Sequence, residues 1–306
     1  MNKWNDTECR SGCAWENGRF VPADAASISL MDVGFCRSDA TYDVVAVWNG
    51  SFFRLDKHLE RFQRGCEKKG FTSGPGIEEI RSILFECVRR SELSNAYVEM
   101  VMTRGLVPEG TRDPRLFRNN FFAYAISYVS LFSEIKLQTG VDLIVSRRAR
   151  RIPATSVDPT VKNFHWADLT TGLTEAYESG ADSAVLLDEN GALTEGPGFN
   201  VFGVSSGAVV TPKQGVLQGV TRRTVLELAV ELGIQHVEGY VPESDIRDFQ
   251  EMFLTSTAGG IIPVRRIGDS MLVSTLEGSL TQTLKDAYWK AHDRPDWNTA
   301  IEYGSD

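Results

Sequence analysis

The sequence predicts a mixed α/β protein in two domains, and three observations predict it. At 306 residues the chain exceeds what one ordinary core needs and suits two modest ones. Short runs with two-residue alternation sit around Asn-Gly pairs, the pattern of antiparallel hairpins. Between them lie longer segments whose apolar residues recur at helical spacing.

The first strands run from Trp15 to Phe20 around Asn17-Gly18, and from Thr41 to Trp48 before Asn49-Gly50 and Phe52-Phe53. Alternation puts Tyr42, Val44, Ala46 and Trp48 on one face, apolar enough to line a pocket, and Asp43 on the other. Helices are expected from Leu55 to Lys69 and from Ile77 to Arg90, where Ile77, Ile80, Leu84, Cys87 and Val88 share a stripe. Strands from Ala96 to Thr103 and Asn120 to Tyr128 flank a polar loop holding Pro108, Gly110, Arg112, Asp113 and Pro114, and such loops often carry function. On the first of these strands Tyr97, Glu99, Val101 and Thr103 share a face.

Beyond Ser130 the pattern weakens. We therefore expect a small α/β domain over 1–129, a linker over 130–138 and a larger domain over 139–306. The larger domain mixes strands (Val141 to Ser146, Ser183 to Leu187, Asn200 to Val204, Met252 to Thr255) with helices near 166–179, 221–232 and 274–291. The helix from Thr221 is the clearest, with Val225, Leu228, Ala229 and Leu232 on one face and Gly233 as its stop. The tails, 1–13 and 294–306, carry no readable role.

A net charge of −9 opposes general attraction to nucleic acid phosphates. The run Arg147 to Arg151 has no interleaved aromatics, so a solvated strand end or an ion-pair network is expected, not a nucleic-acid partner. Cysteines at 9, 13, 36, 66 and 87 form neither a CxxC pair nor a zinc pattern, and we read them as reduced thiols with no metal site. The polar stretch MNKWNDTECR and the lack of a long apolar run point to a cytoplasmic protein with no membrane partner.

Lys162 stands in PTVKNFHW, flanked by apolar and aromatic residues. An amine there loses hydration and its pKa falls toward the range needed for imine formation, unless the side chain reaches back to water. Glu195, in LTEGPGFN, sits before a tight glycine turn and is either a turn residue or a carboxylate for a heterocyclic nitrogen. GVLQGVTRR runs from a glycine turn through Gly219 and Val220 into a helix, where backbone N–H groups and the Thr221 hydroxyl suit a phosphate; an N-capping threonine is the alternative. TSTAGG, with Ser256 and Thr257, could close a phosphate cup, and Arg61 could add a fork or be an ordinary surface arginine.

Together VKNFHW, LTEGPGFN, LQGVTRR and TSTAGG resemble, in identity, order and spacing, the fold-type IV pyridoxal-phosphate aminotransferases, the branched-chain and D-amino-acid family. The likeness extends upstream through RSDATYDVVAVWNGSFFRLDKHLERF and YVEMVMTRG, so it spans about Trp15 to Tyr288. It implies a small α/β domain and a larger pseudo-barrel α/β domain with the cofactor between them, in a homodimer that completes each active site. It gives Lys162 the Schiff base to pyridoxal 5'-phosphate, Glu195 the pyridine nitrogen, and Arg61, Val220, Thr221 and Thr257 the phosphate, with Gly219 and Ser256 also cofactor-binding. Lys162 would also move the proton in a ping-pong exchange between an amine and a keto acid.

Glu99 departs from the branched-chain enzymes, which have an arginine there for the substrate carboxylate; a glutamate repels that group. With Arg37, Tyr42 and Val44 it is similar to the (R)-selective amine:pyruvate transaminases. The expected activity is thus amino transfer from an (R)-configured primary amine to pyruvate or another keto acid. The alternatives are a D-amino-acid or branched-chain aminotransferase, or an aminodeoxychorismate lyase. The resemblance places a keto-acid arginine in the loop 105–118, where Arg112 is the candidate with Arg115 and Arg118 nearby. Tyr97, Trp166 and Ala258 are expected to shape the pocket, the two aromatics otherwise serving as core.

Overall fold

In the computed structural model, which describes residues 9–303, Asn17 and Gly18 turn strand β1 (Gly12–Glu16) into β2 (Arg19–Pro22) at φ 49° and 78°. Both angles are positive, as a tight hairpin turn requires. Helix α1 (Val33–Arg37) leads into β3 (Ala40–Trp48), β4 (Ser51–Phe53), α2 (Leu55–Lys69), α3 (Ile77–Ser91), β5 (Ala96–Leu106) and β6 (Arg118–Ser127). These six strands pair antiparallel in the order β4-β3-β5-β6-β1-β2.

One face of this sheet is covered by helices. Val45 and Val47 of β3, Val98 and Met100 of β5, and Ala123 and Ala125 of β6 share a core with Leu59 and Phe62 of α2 and Ile80 and Leu84 of α3. Truncating a buried Leu or Phe there to alanine costs about 2–5 kcal/mol. Strand alternation sends Tyr42, Val44, Tyr97, Glu99 and Tyr124 to the opposite face.

The second unit contains α4 (Glu134–Thr139), β7 (Val141–Arg150), α5 (Ala167–Glu178), β8 (Ser183–Leu187), β9 (Glu195–Gly196), β10 (Phe199–Ser205), β11 (Ala208–Pro212), α6 (Val220–Glu231), β12 (His236–Gly239), β13 (Glu251–Ser256), β14 (Gly260–Ile267), β15 (Ser270–Met271) and α7 (Leu280–Lys290). Its sheet runs β12-β11-β10-β13-β14-β7-β8, with β9 paired to β10 and β15 to β14. The pairs β14–β7, β7–β8 and β11–β12 are parallel and the others antiparallel. Its core gathers Leu143, Val185, Val201, Leu254 and Ile262. The last strand, β16 (Asn298–Ala300), pairs with β4 and extends the first sheet.

The mixed α/β class is as expected, but the division of the chain differs in three places. No free linker occupies 130–138: α4 begins there, Leu137 packs on the second core, and Leu131 N–H donates to Ala258 O. The segment Val161–Phe164 belongs to the first unit, because the Lys162 carbonyl accepts from β3. Residues 294–303 also belong to the first unit, carried there by β16. The helix expected from 274 starts at Leu280, where the Ser279 hydroxyl caps Gln282 N–H. Of the two tails, 1–8 and 304–306 lie outside the described residues. Among the described residues no helix is long and apolar enough to cross a membrane.

Candidate active site

In the first unit Lys162 is fastened through its backbone. Its carbonyl accepts from Tyr42 N–H at 3.1 Å and from Thr41 Oγ1 at 2.9 Å. Thr41 is placed in turn by Gly65 of α2, where an added Cβ would stand 2.6 Å from Thr41 Oγ1. The absent side chain lets helix and strand approach. Lys162 Nζ lies 4.3 Å from the centroid of the Tyr42 ring, and that ring stacks on Phe164 at 4.4 Å and 5°. The amine thus sits over a π face backed by a second ring, a setting that attracts a cation and limits its motion.

Glu99, only 8% exposed, stands opposite Val44 in the β3–β5 register. Its Oε2 accepts from the hydroxyls of Tyr97 at 3.1 Å and Tyr124 at 2.9 Å. Burial pushes its carboxyl above the ordinary range, against the pull of the Tyr124 hydrogen bond and the Lys162 charge. Burial and the Glu99 charge push both tyrosines up as well, so their hydroxyls remain donors.

Beneath the same sheet Asp43 is fully buried. Arg61 grips it with Nε on Oδ2 and Nη2 on Oδ1, both at 2.7 Å, and His58 Nδ1 reaches Oδ1 at 2.8 Å. Burial alone would raise the Asp43 carboxyl, but Arg61 and His58 outweigh it and hold it well below the usual range. Burial pushes His58 down, so the imidazole is neutral at pH 7 and donates from Nδ1 to the carboxylate. Sequence reading gave Asp43 no role and made Arg61 a phosphate fork; the partner holding Arg61 in place is Asp43. Arg37 ends α1 and is exposed, as is Arg112 in the loop before β6, whereas Arg115 is drawn to Asp113 at 2.6 Å.

In the second unit Glu195, Asn200 and Thr255 lie in a row across β9, β10 and β13. Pro197 and Gly198 turn β9 into β10, with Gly198 at φ 86°. Glu195 Oε2 accepts from Leu217 N–H at 2.9 Å and Asn200 Nδ2 at 3.3 Å; Oε1 accepts from Arg151 Nε at 3.1 Å and Nη2 at 3.0 Å. Asn200 Nδ2 also donates to Leu217 O at 2.9 Å, so the carboxylate and the turn entering α6 are one hydrogen-bonded assembly. Arg151 Nη1 reaches Asp168 at 2.6 Å. Burial pulls the Arg151 guanidinium down, but Glu195 and Asp168 outweigh it and raise it above its ordinary value.

The cap of α6 is Gly219, with no side-chain cap bond, and Thr221 lies inside the first turn. The N-capping alternative for Thr221 is therefore not realised. A Cβ at Gly219 would collide with Asn200 Oδ1. Val220 and Thr221 are buried, and Thr255 Oγ1 is buried with no hydrogen-bond partner. The Ser256 hydroxyl donates to Gly198 O at 2.8 Å and accepts from Ala258 N–H, so it shapes the turn that carries Thr257. Trp166 precedes α5 half-buried and packs beside Leu169 and Ala184. The basic run resolves into ion pairs: Arg147 with Glu243 at 2.5 Å, Arg148 with Glu178, and Arg151 as above. Arg151 and Asp168 were missed by sequence reading; both sit near motif residues, but nothing local marks them.

The profile of amino-transferase class IV matches residues 40–267, most of the chain. The chain belongs to the class IV aminotransferases. This aminotransferase is 30% identical over 274 residues, 89% of its length and 93% of the other, to a Methanocaldococcus jannaschii protein provisionally named a branched-chain-amino-acid aminotransferase. It is 26% identical to the branched-chain-amino-acid aminotransferase of Pseudomonas aeruginosa, covering 96% of this chain and 98% of that one. The solved Escherichia coli branched-chain amino acid aminotransferase superposes with a TM-score of 0.89 at 23% identity, covering 96% and 100% of the two chains, and shares the fold. The T.th. branched-chain amino acid aminotransferase solved with pyridoxamine 5'-phosphate gives 0.87 at 25% identity, covering 96% and 99%.

Class IV aminotransferases use pyridoxal 5'-phosphate, and so does this one. The residues present fit it. An uncapped helix end and the orphaned Thr255 hydroxyl offer donors to a phosphate, and Glu195 offers a buried carboxylate to a ring nitrogen.

Proposed function

We propose that Lys162 holds the cofactor aldehyde, that Glu195 faces the ring nitrogen, and that the phosphate lies against the N–H groups of Val220 and Thr221, the hydroxyls of Thr221 and Thr257, and Arg61. When bound, pyridoxal phosphate would supply an aldehyde for the amino group and a ring able to hold an electron pair. The Lys162 amine, once displaced by the incoming donor, carries a proton between the substrate carbon and the cofactor carbon. The Tyr42 ring beneath Nζ keeps that amine from swinging away.

For the donor, the near full-length match to proteins named branched-chain-amino-acid aminotransferases supports a branched-chain amino acid with a keto-acid acceptor. One observation favours a second reading, an (R)-configured primary amine with pyruvate. Glu99, buried beside Val44 and held by two tyrosine hydroxyls, puts a carboxyl where a donor carboxylate would be repelled. Arg112 is the proposed keto-acid contact, with Arg37 sharing the work. The exposed Leu30, Met31, Phe35 and Leu116 support burial against a second copy in a homodimer. The five thiols, none in a disulfide, support a cytoplasmic setting.

The test is an absorbance spectrum of the protein with pyridoxal phosphate, followed by leucine or (R)-1-phenylethylamine and then a keto acid. A visible band lost with leucine and restored by 2-oxoglutarate supports the branched-chain reading; a response to the amine and pyruvate alone supports the second. Pyruvate release without keto-acid consumption would instead mark a lyase.

A further inference from the structure

Glu195 does not stand alone, and what holds it is itself charged. Arg151 lies just beyond β7 and spans two carboxylates, contacting Glu195 Oε1 with Nε at 3.1 Å and Nη2 at 3.0 Å, and Asp168 Oδ2 with Nη1 at 2.6 Å. Both ion pairs are nearly sealed from solvent: the side chains are 10% exposed for Arg151, 7% for Asp168 and 8% for Glu195. Asp168 is fixed in turn, accepting from Ile152 N–H and Leu169 N–H, each at 2.8 Å. The other Glu195 oxygen accepts from Leu217 N–H and the Asn200 amide. Arg151 is therefore a cation held directly against Glu195, in a pair nearly sealed from solvent.

We infer that Arg151 is a positioning residue for the reaction: it keeps Glu195 a weak base, so that the proton shared with the cofactor's ring nitrogen stays on the nitrogen. The inference rests on the reading that Glu195 faces that nitrogen. A carboxylate paired with a guanidinium binds a proton less tightly, by about one to three pKa units, than the same carboxylate without it. Without Arg151, a buried Glu195 would compete for the proton and leave the ring neutral, a poorer electron acceptor. Asp168 works the other way, because it draws on the same guanidinium. Relieving Asp168 of its charge should leave Arg151 more fully committed to Glu195.

The test is ¹⁵N NMR of the protein loaded with pyridoxal phosphate labelled at the ring nitrogen, whose resonance reports protonation directly and independently of turnover. Wild-type protein should show a protonated nitrogen, Arg151→Met should move the resonance toward the neutral position, and Asp168→Asn should leave it protonated. The proton's preference for nitrogen should fall about tenfold or more in Arg151→Met, and Arg151→Lys should recover part of it. Circular dichroism and retained cofactor absorbance identify folded, loaded protein, and Arg151→Lys and Asp168→Asn keep the test open if Arg151→Met does not fold. A protonated nitrogen in folded Arg151→Met overturns the inference, as does equal loss of protonation in Asp168→Asn, which would mark general damage to the pocket. The underlying reading fails separately: if Glu195→Gln leaves the nitrogen protonated, Glu195 is not its partner.

Discussion

Arg61 and Asp43 meet through two parallel hydrogen bonds of 2.7 Å inside a closed core, with His58 on the same carboxylate. The pair links the helix-covered face of the first sheet to the arginine proposed for the phosphate. Removing one partner leaves the other charge buried, so Asp43→Ala should destabilise the protein by about 3–5 kcal/mol. Urea unfolding of the apoprotein measures this; a loss below about 1 kcal/mol would mean that the pair is not the anchor it looks.

The same cluster sets a pH dependence. The folded pKa of His58 lies below its unfolded value of about 6.5. The unfolded chain then binds the proton more readily, so this contribution is present above about pH 6.5 and fades as the pH falls. Asp43 is depressed from an unfolded value of about 3.9. Its contribution holds above that value and is lost as the pH falls toward the folded one. Urea midpoints from pH 8 to pH 4 should decline first between pH 7 and 5, and His58→Gln should flatten that stage.

Glu99 divides the two donor readings. Glu99→Arg should raise kcat/KM for leucine relative to (R)-1-phenylethylamine by about tenfold or more, since it replaces repulsion of a carboxylate by attraction. Glu99→Gln keeps hydrogen-bonding capacity for Tyr97 and Tyr124 without the charge and should give an intermediate ratio. An unchanged ratio in both variants would remove Glu99 from specificity.

Gly219 is tested by its own neighbour. A methyl group there meets the Asn200 amide, which ties Glu195 to the Leu217 turn. Gly219→Ala should weaken pyridoxal phosphate binding about tenfold or more, at about 1.4 kcal/mol per factor of ten, with secondary structure unchanged. Fluorescence titration of the apoprotein measures it.

Arg112 is exposed, and Arg115 is drawn to Asp113. Arg112→Ala should raise the KM for the keto acid by about tenfold through a lost charged contact of about 1.5–3 kcal/mol, while Arg115→Ala changes it little. Steady-state kinetics with pyruvate and 2-oxoglutarate decide between them.

The elements with clean periodicity were legible in the sequence: the Asn17-Gly18 hairpin, α2, α3 and α6 fall where apolar spacing put them. β14 was not legible, because Gly260–Ile267 is buried on both faces and contains Pro263, so no alternation survives. β16 gains its strand character only by pairing with β4, far away in sequence. Short motifs singled out Lys162, Glu195 and Thr221, the residues proposed for the cofactor. Arg151 looked like the end of a basic run because its partners, Asp168 and Glu195, lie 17 and 44 residues further on. Asp43 was hidden for the same reason.

Gly65 turns the chemistry of one lysine into a question of clearance. Thr41 can bond the Lys162 carbonyl because nothing larger than a hydrogen projects from α2 at that point. In a randomised library, position 65 should therefore be as intolerant of side chains as the residues proposed for the cofactor, because a Cβ there would press on Thr41. Screens that vary only pocket-lining residues would overlook it, and recombining α2 with a relative's β3 would fail wherever the helix brings a methyl group in its place.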